Sequence, residues 1–141
     1  ITMYFERFGK VKTYLDHLKE VCEKNGYCET HFGRKRFLPE INSTNRTIKS
    51  NAERVAVNSP IQGTAADIIK IAMQKIDSEM IEKKLASKML LQVHDELIFE
   101  VSEGELDTMR ELVRRNMEGA VTFDVPLKVD MGIGVNWFDL K

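Results

Sequence analysis

The stretch Leu90-Leu91-Gln92-Val93-His94-Asp95-Glu96-Leu97-Ile98-Phe99-Glu100 decides how this chain is read. Leu91 and Val93 are spaced by two before the triplet His94-Asp95-Glu96, and Leu97, Phe99 and Val101 are spaced by two after it. Period two on both sides predicts two half-buried strands joined by a very short turn, with the triplet at the tip of a hairpin. The tip lacks the Asn-Gly or Asp-Gly pair that usually closes such a hairpin. Two readings stand at this point. Asp is common in turns, so the triplet could be an ordinary polar tip. Carboxylates on a rigid tip are also well placed to hold a divalent cation.

Working outward, 141 residues are enough for one domain with a real core. The 21 basic and 22 acidic residues nearly cancel, so global charge gives no polyanion signal. Their distribution says more. Between His31 and Val55, Arg34, Lys35, Arg36, Arg46, Lys49 and Arg54 outnumber Glu40 and Glu53. Between Glu100 and Gly119 acidic residues dominate, as expected of a solvated helix face. Cys22 and Cys28 are too few for a zinc site or a disulfide framework, and reduced thiols in an intracellular protein are expected. No apolar run is long enough to cross a membrane, no signal peptide opens the chain, and no membrane partner is expected. The chain enters helical pattern directly from Ile1, which suggests a piece cut from something longer.

Tyr4, Phe5, Phe8, Val11, Leu15, Leu18 and Cys22 recur at three and four, predicting one amphipathic helix that ends at Gly26. Its aromatic stripe is expected to be core. Tyr27 to Phe32 reads as a strand, Gly33-Arg34-Lys35 as a turn and Arg36 to Leu38 as the return strand, ended by Pro39. The basic tip Arg34, Lys35, Arg36 suits a phosphate, or is simply a solvated turn. Glu40 to Ser50 reads as a surface loop. Helix is expected from about Asn51 to Asn58, then a kink or break at Pro60, then a long helix with Ile61, Ala65, Ile68, Ala72, Ile76 and Met80 on its apolar face. After the hairpin, Ser102 with Glu105 has capping-box spacing ahead of the stripe Leu106, Met109, Val113, Met117 and Ala120. Leu127, Val129 and Met131 predict a third strand from Pro126. The order of elements predicts an α+β fold, an antiparallel sheet with helices on one face.

A second constellation lies on the predicted helix around Pro60. Arg54, Asn58 and Gln62 fall at i, i+4 and i+8, so they share one stripe spanning roughly 12 Å if the axis stays continuous. The stripe carries a guanidinium and two amides and no carboxylate. Such donors suit the minor groove of a duplex, where purine N3 and pyrimidine O2 recur at similar positions for every base pair. An ordinary polar helix face is the alternative.

The run Asn58-Ser59-Pro60-Ile61-Gln62-Gly63-Thr64-Ala65-Ala66-Asp67, followed by Gln92-Val93-His94-Asp95-Glu96, resembles the family A DNA polymerases of the bacterial DNA polymerase I group. Phe32-Gly33-Arg34-Lys35-Arg36, Ala52-Glu53-Arg54 and the closing Pro126-Leu127-Lys128-Val129-Asp130 with Gly132 and Gly134 match in the same order. The resemblance implies a fingers/palm piece: residues 1–50 the end of the fingers, with a helix and a small β-hairpin, and residues 51–141 most of the palm. It implies that Asp95 is a ligand of the catalytic Mg2+ ions, two in the complete enzyme. It implies that Glu96 is a weaker or indirect ligand, and that His94 lies near the primer terminus. Arg54, Asn58 and Gln62 would contact the template–primer duplex. Primer–template DNA and deoxynucleoside triphosphates are the implied partners, and a cytoplasmic, nucleoid-associated setting the implied location. The family's other essential Asp belongs to a motif resembling Asp-Tyr-Ser-Gln-Ile-Glu, which does not occur in these residues. The piece is therefore expected to be inactive alone and prone to self-association through exposed apolar surface.

Two other functions compete with this reading. A non-catalytic primer–template duplex-binding module would use only Arg54, Asn58, Gln62 and the basic hairpin. A metal hydrolase built on His94 and Asp95 is disfavoured, because neither His17 nor His31 has a partner at metal-ligand spacing.

Overall fold

The computed structural model of the chain describes residues 2–139. Its fold is α+β, with helices and two small antiparallel hairpins, and it divides into two compact units, Ile1–Ala65 and Ala66–Lys141.

In the first unit, α1 (Thr2–Arg7) and α2 (Gly9–Asn25) replace the single expected helix. The break falls at Phe8, whose φ of −120° and ψ of 56° lie outside the helical region. The aromatic stripe does not form core: Tyr4, Phe8, Val11 and Tyr14 are all exposed. Only the last turns of α2 are covered, where Cys22 packs with Cys28, Leu38, Ile41, Ala52 and Ala56. Gly26, at φ 73°, caps α2 as its position predicted, and its N–H donates to the Cys22 carbonyl at 2.8 Å. Both cysteines are free and buried, and burial is the main reason that the Cys22 thiol is pushed up to about 11.

Next come β1 (Tyr27–Glu29) and β2 (Lys35–Phe37), paired antiparallel with Cys28 opposite Arg36. The strands are shorter than expected. Residues 30–34 form the turn, closed by Thr30 N–H to the Arg34 carbonyl at 3.0 Å, so His31 stands in the turn and not in a strand.

The expected loop from Glu40 to Ser50 is also shorter. A 3-10 turn occupies Pro39–Asn42, and α3 begins at Arg46. Asn45 is the reason. Its Oδ1 accepts the N–H groups of Thr47 at 3.0 Å and Ile48 at 3.3 Å, two donors that the first turn of a helix otherwise leaves open.

The helix α3 (Arg46–Glu82) then runs for 37 residues with Pro60 inside it, so of the kink or break expected there the break does not occur. Proline removes one donor and crowds the preceding turn, at about 3 kcal/mol. Here Pro60 is buried, and the hairpin splints the helix on both sides of it. Arg36 donates to Ser59 Oγ at 3.1 Å and Arg34 to the Gly63 carbonyl at 3.0 Å. These charge-assisted bonds offset what proline loses.

In the second unit, Ile76 and Met80 of α3 pack with Met109, Leu112 and Val113 of α4 (Leu106–Glu118). Met89, Leu97, Phe99 and Val101 lie against the same cluster. Glu79 of α3 accepts from Arg115 and, at 2.8 Å, from Asn116. The Arg115 hydrogen bond is the main reason its carboxyl is held down to about 2.

Between the helices, β3 (Lys88–Val93) and β4 (Glu96–Glu100) form the predicted hairpin. A bulge between Met89 and Leu91 interrupts the ladder. Leu91 then pairs with Ile98, while Gln92 pairs with Leu97. The two sequence alternations therefore lie on opposite faces: Leu97 and Phe99 join the core with Met89, whereas Leu91 is 49% exposed.

Two further expectations are corrected. Ser102 does not cap α4: the N-cap residue is Glu105, whose N–H donates to the Ser102 carbonyl at 3.0 Å. Residues 126–131 form no strand. The alternation is visible in burial, with Leu127, Val129 and Met131 half-buried and Lys128 and Asp130 exposed. A strand, however, needs a backbone partner. Pro126 has no N–H, and the N–H of Val129 donates instead to the Glu118 carboxylate at 3.1 Å.

Candidate functional site

The hairpin tip is a two-residue turn. Val93 and Glu96 are the last paired residues, leaving His94 and Asp95 between them and placing Glu96 at the start of β4. His94 has φ +55°, the left-handed region. A positive φ at the first turn residue is where type II′ hairpins ordinarily carry glycine. A side chain in that region costs about 1–2 kcal/mol. The Gln92 side-chain amide donates to the His94 carbonyl and ties the turn to its strand. The side chains of His94, Asp95 and Glu96 are all exposed.

Asp95 and Glu96 thus offer adjacent hard oxygen donors on a turn fixed by a ladder. Among the described residues no group of three or more His, Cys, Asp or Glu side chains converges on one point. That donor set fits Mg2+ better than a metal held wholly by protein, because Mg2+ is commonly bound by one or two carboxylates with water and substrate phosphates completing its shell.

The second constellation is built on α3 in the first unit. Because the helix passes through Pro60, Arg54, Asn58 and Gln62 stay on one stripe, and all three are exposed. The basic tip predicted at Arg34, Lys35 and Arg36 is divided by the pleat. Arg34 and Arg36 reach α3 as described, while Lys35 turns the other way, 4.4 Å from the Tyr27 ring centroid and 4.0 Å from Glu29. A concavity of about 190 Å³ lies between hairpin and helix, lined by Thr30, Arg34, Arg36, Ser59 and Gln62 among others.

Several residues that shape this region were not singled out from the sequence. Thr64 Oγ1 accepts the His31 N–H at 2.9 Å, and Gly63 lets the hairpin approach. A Cβ at Gly63 would stand 3.2 Å from Arg34 Nη2. The available signal was a glycine inside an otherwise helical pattern, which commonly marks close packing.

Known proteins are similar to this chain over nearly its whole length. DNA polymerase I of Mycobacterium tuberculosis is 53% identical over 134 residues, covering 95% of this chain and 15% of that protein. DNA polymerase I of Caldicellulosiruptor bescii is 50% identical over 141 residues, covering 100% of this chain and 17% of that protein. The solved POL domain of Pol1 from M. smegmatis, in complex with DNA primer-template and dNTP, superposes with a TM-score of 0.96 at 50% identity, over 97% of this chain and 24% of that one. The chain therefore spans about one sixth of the length of these curated relatives.

Fold and sequence together place the chain in the class of DNA polymerases. The family model for DNA polymerase family A matches residues 1–139, and the chain belongs to that family. No helix among the described residues is long and apolar enough to cross a membrane.

Proposed function

We propose that this chain is the segment of a DNA-directed DNA polymerase that supplies one acidic arm of the catalytic centre and part of the duplex track. In this reading residues 1–50 end the fingers and residues 51–141 form most of the palm. The observation that carries it is the exposed Asp95 on a two-residue turn whose first residue, His94, is held at φ +55°.

Asp95, with Glu96 beside it, would hold Mg2+, whose chemistry is that of a Lewis acid toward the primer 3′-hydroxyl and the incoming triphosphate. The turn's own contribution is position: a short ladder fixes where the carboxylates stand before substrate arrives. His94 projects from the same turn and would lie at the primer terminus. Arg54 donates only, and the Asn58 and Gln62 amides each offer an NH2 donor, which suits acceptors in the minor groove of any sequence. Arg34, Lys35 and Arg36 add positive charge for phosphates, with Arg34 and Arg36 also fixing the hairpin to α3. The primer–template and dNTP held by the M. smegmatis relative support this assignment of partners.

The test is Asp95→Ala in the intact polymerase. Nucleotide incorporation is expected to fall by orders of magnitude while primer–template affinity changes little. Collapse of binding with normal turnover per bound complex would overturn the metal role. Unchanged extension with salt-dependent duplex binding retained would favour a non-catalytic binding module. These 141 residues alone are expected not to extend a primer, since one Asp–Glu pair does not hold both ions; robust extension by the purified chain would overturn the half-site.

A further inference from the structure

We propose that Glu105, which no part of the functional reading above uses, is a positioning residue for the turn that carries Asp95. The proposal rests on the polymerase reading and adds a determinant of how its acidic turn is aimed.

The geometry is a clamp at the open end of the β3–β4 hairpin. Glu105 Oε1 accepts the Ala86 N–H at 2.9 Å. Its Oε2 accepts the Ser87 N–H at 2.9 Å and the Ser87 hydroxyl at 2.6 Å. Ser87 Oγ in turn accepts the Ser102 N–H at 3.0 Å. Ala86 and Ser87 immediately precede β3, and Ser102 closely follows β4. One carboxylate thus holds both legs of the hairpin, one directly and the other through a buried hydroxyl. The same residue stands at the head of α4, where its carbonyl accepts the Met109 N–H at 2.8 Å. The clamp therefore fixes the hairpin to the helix whose Met109, Leu112 and Val113 form the core beneath it.

A hairpin of this kind acts as a lever. Six residues of β3 place the turn roughly 20 Å from the clamp at about 3.3 Å per residue. The hydrogen bonds from Ser87 and Ala86 hold the Glu105 carboxyl below the usual carboxylate range, so it is ionised at neutral pH and accepts on both oxygens. A glutamine of the same size would turn one acceptor into a donor facing a donor.

The experiment compares Glu105→Gln and Ser87→Ala with wild type in the intact polymerase, with active sites titrated. In E105Q the single-turnover rate is expected to fall about 10-fold, less than the roughly 100-fold that a misplacement of about 1 Å can cost. The KM for nucleotide and the primer–template affinity should stay within about 2-fold of wild type, and the Mg2+ concentration for half-maximal rate should rise. S87A should show the same pattern more weakly, and decides the matter by the same measurements if E105Q does not fold. A second readout needs no catalysis: amide hydrogen exchange at Val93 and Glu96 should quicken in the variants. Equal rates per active site and unchanged exchange at the turn would overturn the proposal. A wild-type enzyme with no extension would instead sink the polymerase reading, leaving the exchange measurement to judge the clamp alone.

Discussion

A Cβ built on Gly63 would lie 2.6 Å from the Thr30 methyl carbon, closer than side chains approach. Thr30 cannot easily turn aside: it is buried, and its Oγ1 accepts the Arg34 N–H at 3.2 Å. Gly63→Ala would gain about 1 kcal/mol of helix propensity. Overpacking costs about 1–3 kcal/mol, so a net loss of about 1 kcal/mol is expected. Urea unfolding should show it, and adding Thr30→Ser, which removes the methyl and keeps the hydroxyl, should recover most of it.

Lys84 occupies the second position after α3, at φ +54°. Its N–H bonds back to the Ile81 carbonyl and that of Leu85 to the Met80 carbonyl, both at 3.0 Å, the pattern that usually carries glycine. Lys84→Gly should raise stability by about 1 kcal/mol, as the left-handed strain is removed. A midpoint of denaturation equal to or below wild type would contradict this.

Asn45→Ala removes the oxygen that caps α3 and should cost about 1 kcal/mol. Asn45→Ser should recover much of the loss. The check is the unfolding midpoint of the three proteins side by side.

Acid should weaken the α3–α4 packing through Glu79. Its carboxyl is held down to about 2 in the folded chain, against an ordinary 4.5. A depressed folded value means stability that is fully present above the unfolded value and lost as pH falls from about 4.5 toward 2. Glu79→Gln should flatten this part of the stability profile while lowering stability at neutral pH. Identical acid profiles for the two proteins would show that the Arg115 pairing contributes nothing.

How much was legible follows from what each signal measures. The hairpin and its acidic tip could be read because alternation and a short polar interruption are local features, and Gly26 could be read because a left-handed cap is a property of one residue. The Arg54-Asn58-Gln62 stripe was legible as spacing, but its continuity depended on Pro60, where the local rule failed: the splint comes from Arg34 and Arg36, more than twenty residues away in sequence. The same limit hid the true cap of α3. Asn45 sat inside a polar run that reads equally well as loop. Residues 126–131 carry the burial rhythm of a strand without its ladder, because rhythm reports which side faces apolar neighbours and says nothing of a hydrogen-bonding partner. The aromatic stripe of α1 and α2 shows periodicity without burial for a related reason, since spacing cannot name what would cover it.

The bulge at Leu90 has a consequence for how this hairpin can change over time. One surplus residue puts the inner and outer halves of β3 out of phase, so packing below and presentation above answer to separate sets of side chains. Deleting Leu90 would leave Leu91 beside Met89 and still opposite Ile98, so every pairing would survive, but the local bend and twist would relax and the acidic tip would be re-aimed. Substitutions on either side of that joint can accumulate independently, whereas a change in its length cannot.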